Sequence, residues 1–169
     1  GGESGEVDTV YLGAFRREAI VTAGGFDERY TRAQDWELNH HLRKNGGKIY
    51  FDPRLHVTYR PRPNLIKLAK QYFQYGTWRR VVSRSHIGTI NLRYLAPPFA
   101  LVGTLISVTS GLLIHPIFYL PAAVYGGFVL LSSLLIAKSV SEYFSLLAII
   151  PTMHFAWGAG FITSTKTLR

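Results

Sequence analysis

In the stretch Ala33 to Gly47, AQDWELNHHLRKNGG, two carboxylates, Asp35 and Glu37, flank Trp36 where an amphipathic helix is predicted to begin. A carboxylate in a first helical turn faces unpaired backbone N–H groups and the positive end of the helix dipole, and both favour its ionised form. An ionised carboxylate is what a general base must be, yet acids in first turns are also ordinary solvated helix starts. Position alone leaves both readings of Asp35 open. Trp36 could stack on a ligand or pack into a core, and Glu37 is expected to face solvent or to pair with a local arginine. His40 and His41 are adjacent on the helix and point different ways, so they form no joint site. His56 is read as structural. The chain has no cysteine, which excludes disulfides and thiolate metal sites.

The elements that must position these groups alternate between strand and helix. Val7 to Gly13 alternates and is β-rich, and Arg16 to Ala23 predicts a short helix stopped by Gly24-Gly25, a pair suited to positive φ. Gln34 to Asn45 predicts the helix carrying Asp35, with Trp36, Leu38 and Leu42 apolar and Asn39, His40, Arg43 and Lys44 on its wetter side. Lys48 to Phe51 and His56 to Tyr59 read as strands on either side of a turn at Asp52-Pro53-Arg54. Asn64 can cap a further helix through Leu65, Leu68, Ala69, Tyr72, Phe73 and Gly76, whose other side carries Lys67, Lys70, Arg79, Arg80 and Arg84. A basic amphipathic helix of this kind belongs at an anionic membrane surface.

Charge then almost disappears. Residues 1 to 94 hold 16 of the 19 Lys and Arg and nine of the ten Asp and Glu. Leu95 to Ile114, Ile117 to Ala137 and Tyr143 to Thr163 are apolar runs of about twenty residues, each able to cross a hydrocarbon core of about 30 Å. Pro97-Pro98, His115-Pro116 and Pro121 punctuate the first two. The basic excess before Leu95 predicts a multi-pass membrane protein with its polar part on the cytoplasmic side. Three crossings put the segment after the third run outside, whereas Lys166 and Arg169 argue for the inside, so a re-entrant or interfacial third run is the alternative.

Taken together, Gly24 to Glu28 (GGFDE), Gln34 to Leu38 (QDWEL) and Arg43 to Pro53 (RKNGGKIYFDP) resemble the acceptor-side half of inverting family 2 glycosyltransferases of the GT-A fold. There, GGFDE precedes an acidic pair, usually Glu-Asp, and the following helix ends in glycine before a strand closing in Asp-Pro. The first acid of the pair is Gln34 here and the second is Asp35. The resemblance implies that Asp35 is the general base that takes a proton from an acceptor hydroxyl as it attacks a nucleotide sugar. Gln71 to Arg80 loosely resembles the Gln-x-x-Arg-Trp element of processive members, with the order of Trp78 and Arg79 reversed. It makes Trp78 a candidate substrate contact and Arg79 and Arg80 candidates for the donor diphosphate or a lipid-linked phosphate, with membrane-surface cations as the alternative for the two arginines. Gln34, Trp36, Arg60 and Arg62 are the other candidate substrate contacts.

GT-A enzymes usually hold a divalent cation, Mg or Mn, on an Asp-x-Asp motif in the donor-binding half. No such motif occurs in this chain. His56 lies near the place of a late histidine ligand in some relatives, but the closest register puts Tyr59 there. The expected fold class is therefore α/β, the C-terminal part of a GT-A domain followed by transmembrane α-helices. Residues 1–62 would be the partial GT-A domain, 63–94 a basic interfacial helix and linker, and 95–169 the membrane region. The expected activity is sugar transfer from a nucleotide sugar to a lipid-linked or envelope glycan acceptor, with donor half and cation ligands upstream of Gly1 and this piece inactive alone. A non-catalytic membrane adaptor is the alternative. Nucleic-acid binding, suggested by the net charge of +9, ranks last because membrane orientation explains the same excess.

Overall fold

The computed structural model describes residues 3–10, 12–58, 60–165 and 167–168. It divides into two compact units, the first comprising the chain to Pro61 together with Leu168, the second Arg62–Thr167.

In the first unit, strand β1 (Gly5–Val7) pairs antiparallel with β2 (Ile49–Phe51), Glu6 opposite Tyr50, and helices α1 (Arg17–Thr22) and α2 (Gln34–Lys44) lie between them in sequence. Leu38 and Leu42, four apart on α2, form the core with Ile49, and Val7, Val10, Phe15, Ala19 and Ile20 pack against it. The α/β class holds, with strands far shorter than the alternation suggests. Pairing stops at Val7 because Leu12 takes a left-handed φ of 55° and the Val10 carbonyl is drawn to the Asn39 side chain at 3.2 Å. The expected strand from His56 does not form among the described residues: Val57 is exposed and pairs with no strand, and Tyr59 lies outside those residues. Gly24 and Gly25 adopt φ of 89° and 79° and return N–H bonds to Val21 and Ile20, closing α1 as their sequence predicts.

The second unit holds α3 (Leu65–Ser85), α4 (Leu92–Leu113), a short 3-10 turn (Pro116–Tyr119), α5 (Leu120–Ile136) and α6 (Val140–Thr163). Asn64 caps α3, its side chain accepting the Lys67 N–H at 2.9 Å. Asn64→Ala should cost about 1 kcal/mol and Asn64→Asp much less, read from thermal melting in detergent. Helix α4 starts at Leu92 and continues through Pro97 and Pro98. Ser107 ties α4 to α5, donating to the Phe118 carbonyl at 2.6 Å and accepting from Ala122 N–H at 3.0 Å. Three helices, Leu92–Leu113, Pro116–Ile136 (the turn with α5) and Val140–Thr163, are long and apolar enough to cross a membrane, and their hydrophobic windows are only 11 to 17% buried in the protein. Leu, Ile and Phe side chains exposed on this scale need an apolar solvent.

Candidate functional site

The start of α2 is built on strain. Ala33, its N-cap residue, has φ 63° and ψ 20°, a left-handed conformation that costs a non-glycine residue about 1 to 2 kcal/mol. No side chain caps this end, so Gln34 and Asp35 open the helix among unpaired N–H groups. Asp35 is half-buried, and its Oδ1 accepts the Trp36 N–H at 2.8 Å. Gln34 is exposed beside it. Trp36 is half-buried and stacks on His40 one turn later, ring centroids 5.2 Å apart and planes 11° apart. The core thus closes on Leu38 and Leu42 without Trp36.

Neighbouring carboxylates are engaged by cations. Asp27, within GGFDE, chelates Arg29 at 2.7 to 3.2 Å, and that guanidinium holds its carboxyl below the usual range. Asp52 is likewise held low by Arg54, whose Nη2 lies 2.7 Å away, and the pair forms the expected turn before Leu55. Glu37 corrects the sequence reading. It is 3% exposed, and its partner is His41 one turn on, Nε2 to Oε1 3.0 Å, rather than solvent or an arginine. Asn39 is also fully buried instead of wet, donating to Thr9 Oγ1 at 2.9 Å and so anchoring α2 to the 9–10 segment. The i, i+4 spacing of Glu37 and His41 was the available signal for their pairing.

Burial pushes the Glu37 carboxyl up, opposed by His41 and Arg29 and reinforced by Asp27. A raised native value means that the folded state binds more protons than the unfolded one between the ordinary glutamate range and the raised value. Stability therefore falls as pH rises through that window. Glu37→Gln should flatten this fall, read as melting temperature against pH in detergent. An unchanged slope would assign it to other groups.

The described carboxylates and imidazoles of the first unit bring no three ligand atoms together, and Asp27, Glu37 and Asp52 are already paired. The first unit's donor set alone does not fit a divalent cation, and no chemical step is derived through one.

The remaining candidates divide. Arg60 is exposed in the first unit. In the second, Arg62 Nε donates to the buried Gln71 Oε1 at 3.0 Å, and Trp78 is buried at 7% exposure. Arg79 bonds the Thr89 carbonyl and lies 3.6 Å over the Tyr94 ring, while Arg80 lies 5.1 Å over Phe161. The last two bind their own chain in the α3–α4 and α3–α6 joints, contacts that sequence spacing did not indicate.

An α/β segment with a helix-start carboxylate is followed by membrane-capable helices, an arrangement that fits the resemblance to membrane-associated glycosyltransferases. The comparisons agree. The chain is 32% identical over 151 residues to the succinoglycan biosynthesis protein ExoA of Rhizobium meliloti (strain 1021), covering 86% of this chain and 44% of that one. It is 35% identical over 89 residues to the dolichyl N-acetyl-alpha-D-glucosaminyl phosphate 3-beta-D-2,3-diacetamido-2,3-dideoxy-beta-D-glucuronosyltransferase of Methanococcus voltae, covering 53% of this chain and 27% of that one. Both support the family 2 glycosyltransferase resemblance. It spans less than half the length of either relative. No family model and no solved structure matches it.

Proposed function

We propose that this chain is the acceptor-side and membrane part of an inverting family 2 glycosyltransferase that moves a sugar from a nucleotide sugar to a lipid-linked or envelope glycan acceptor. In this reading residues 1–62 are the partial GT-A domain, 63–94 the basic joint and 95–169 the membrane region, multi-pass with its basic side cytoplasmic. The observation that carries it is the state of Asp35. Among the described residues Asp35 has no Lys, Arg or His within ion-pair range, whereas Asp27 and Asp52 each pair with an arginine and Glu37 with the His41 ring. A general base needs a lone pair free to receive a proton, within about 2.6 to 3.2 Å of the hydroxyl it serves.

Asp35 takes the proton of the acceptor hydroxyl as that oxygen attacks the anomeric carbon. The new C–O bond forms on the face opposite the nucleotide diphosphate, which leaves with the electrons of the broken C–O bond, so the anomeric configuration inverts. Gln34, Trp36 and Arg60 are assigned to the acceptor side, where an amide, an indole face and a guanidinium suit sugar hydroxyls and a phosphate. Arg62, Trp78, Arg79 and Arg80 hold the second unit together. A divalent cation would belong to the donor-binding part and neutralise the departing diphosphate.

The test is incorporation of label from a panel of radiolabelled nucleotide sugars into lipid-extractable or polymeric material by membranes carrying the natural gene product. Transfer above that of empty membranes is expected with at least one donor. Membrane retention without transfer from any donor favours the adaptor reading.

A further inference from the structure

We propose that α4 begins and α6 ends at the same face of the bilayer, so that the path from Leu92 to Ser164 makes an even number of crossings and returns to the side of the basic helix α3. The inference rests on the membrane reading above and is independent of Asp35.

Two sets of contacts carry it. First, Gly158 lies against the backbone of Pro97 and Pro98, where an added Cβ would come within 2.7 Å of the Pro97 carbonyl oxygen. Pro97 is the sixth residue of α4 and Gly158 the sixth from the end of α6. At 1.5 Å of rise per residue, each is about 8 Å from its helix end, well inside one half of a hydrocarbon core about 30 Å thick. If all three helices crossed in turn, α6 would end on the far face from the start of α4, and this contact could not form.

Second, one basic helix holds both ends. From α3, Arg79 reaches the Thr89 carbonyl and the Tyr94 ring at the start of α4. Arg80, the next residue, lies over Phe161, and Arg84 Nη2 donates to the Ser164 carbonyl at 2.9 Å, just past the end of α6. An arginine is costly at the bilayer centre even on the lenient insertion scale. The residues that these guanidiniums touch therefore lie at the interface, where Tyr94 and Trp157 are also at home. A cation beside the last carbonyls of α6 further complements its dipole.

The sequence alone weighed Lys166 and Arg169 against a count of three crossings. The contacts decide for the charges: α4 crosses, and the third apolar run either lies along α3 or crosses back while α5 does not cross.

The chain lacks cysteine, so single-cysteine labelling needs no background removal. Ile87→Cys, His115→Cys and Thr165→Cys replace exposed residues before α4, between α4 and α5, and after α6. In sealed membrane vesicles of known orientation, a membrane-impermeant maleimide should label Ile87→Cys and Thr165→Cys from one side and His115→Cys from the other. Labelling after detergent addition measures the total thiol, and a reporter fused after residue 169 gives a second reading of side. Thr165→Cys reacting with His115→Cys, or all three reacting together, overturns the proposal. Extraction of the unmodified protein by alkaline carbonate would instead overturn the membrane reading on which it rests.

Discussion

Asp35→Asn in the natural gene product is expected to lower sugar transfer by about 10²- to 10⁴-fold, the range for loss of a positioned general base. The substitution is nearly isosteric, and an amide oxygen can still accept the Trp36 N–H that Oδ1 now accepts at 2.8 Å. The helix start and its strained Ala33 should persist, so melting temperature should change by little while kcat falls. An amide cannot take the acceptor proton, so KM for either substrate should stay within a few-fold. Asp35→Glu keeps the carboxylate but displaces it by a methylene, and intermediate activity is expected. Glu37→Gln is the informative neighbour: its carboxylate is buried against His41, so its loss should alter stability and pH dependence more than the chemical step. Activity of Asp35→Asn within a few-fold of the parent sinks the assignment of the base. The same loss accompanied by a collapsed melting temperature would make Asp35 structural.

Much of the fold was legible because local rules agree with the tertiary outcome. Asn64 before an apolar 3.6-residue period marked the start of α3, Gly24-Gly25 marked the end of α1, and the apolar runs marked α4 to α6 within about three residues. What was hidden depends on partners distant in sequence. Asn39 and Glu37 look polar and therefore exposed, but the 9–10 segment and His41 supply the hydrogen bonds that make their burial tolerable. Arg79, Arg80 and Arg84 look like a face offered to phosphate, yet their partners Tyr94, Phe161 and Ser164 stand up to 81 positions away, beyond any spacing rule. The candidate base was legible only through the combination of GGFDE, QDWEL and KIYFDP. First-turn position is shared by Asp35 and Glu37, and the structure separates them by burial and pairing.

Gly160→Val, and separately Gly76→Val, are expected to cause the largest stability loss of any substitution in the second unit. Both glycines lie where α3 and α6 approach backbone to backbone. A Cβ on Gly76 would overlap the Trp157 carbonyl oxygen, and one on Gly160 would overlap that of Phe73. Backbone cannot rotate aside as a long side chain can, so the helices must separate to accommodate even one carbon. Separation also removes the bonds that fix their register: Thr77 Oγ1 to the Gly160 carbonyl at 3.3 Å, Ser164 Oγ to the Thr77 carbonyl at 3.2 Å, and Arg84 to the Ser164 carbonyl. In lipid such close packing and interhelical bonding replace the hydrophobic drive that water would give. The loss should reach about 4 kcal/mol or more, the range reserved for overpacking combined with a broken buried network. Gly126→Ala is the control, because nothing lies within 4 Å of its added Cβ and alanine favours the helix by about 0.5 to 1 kcal/mol. Melting in detergent should thus fall steeply for Gly76→Val and Gly160→Val and stay level or rise for Gly126→Ala. Equal melting across the three would mean that α3 and α6 do not meet at these glycines, and would remove with it one support for the shared membrane face of α4 and α6.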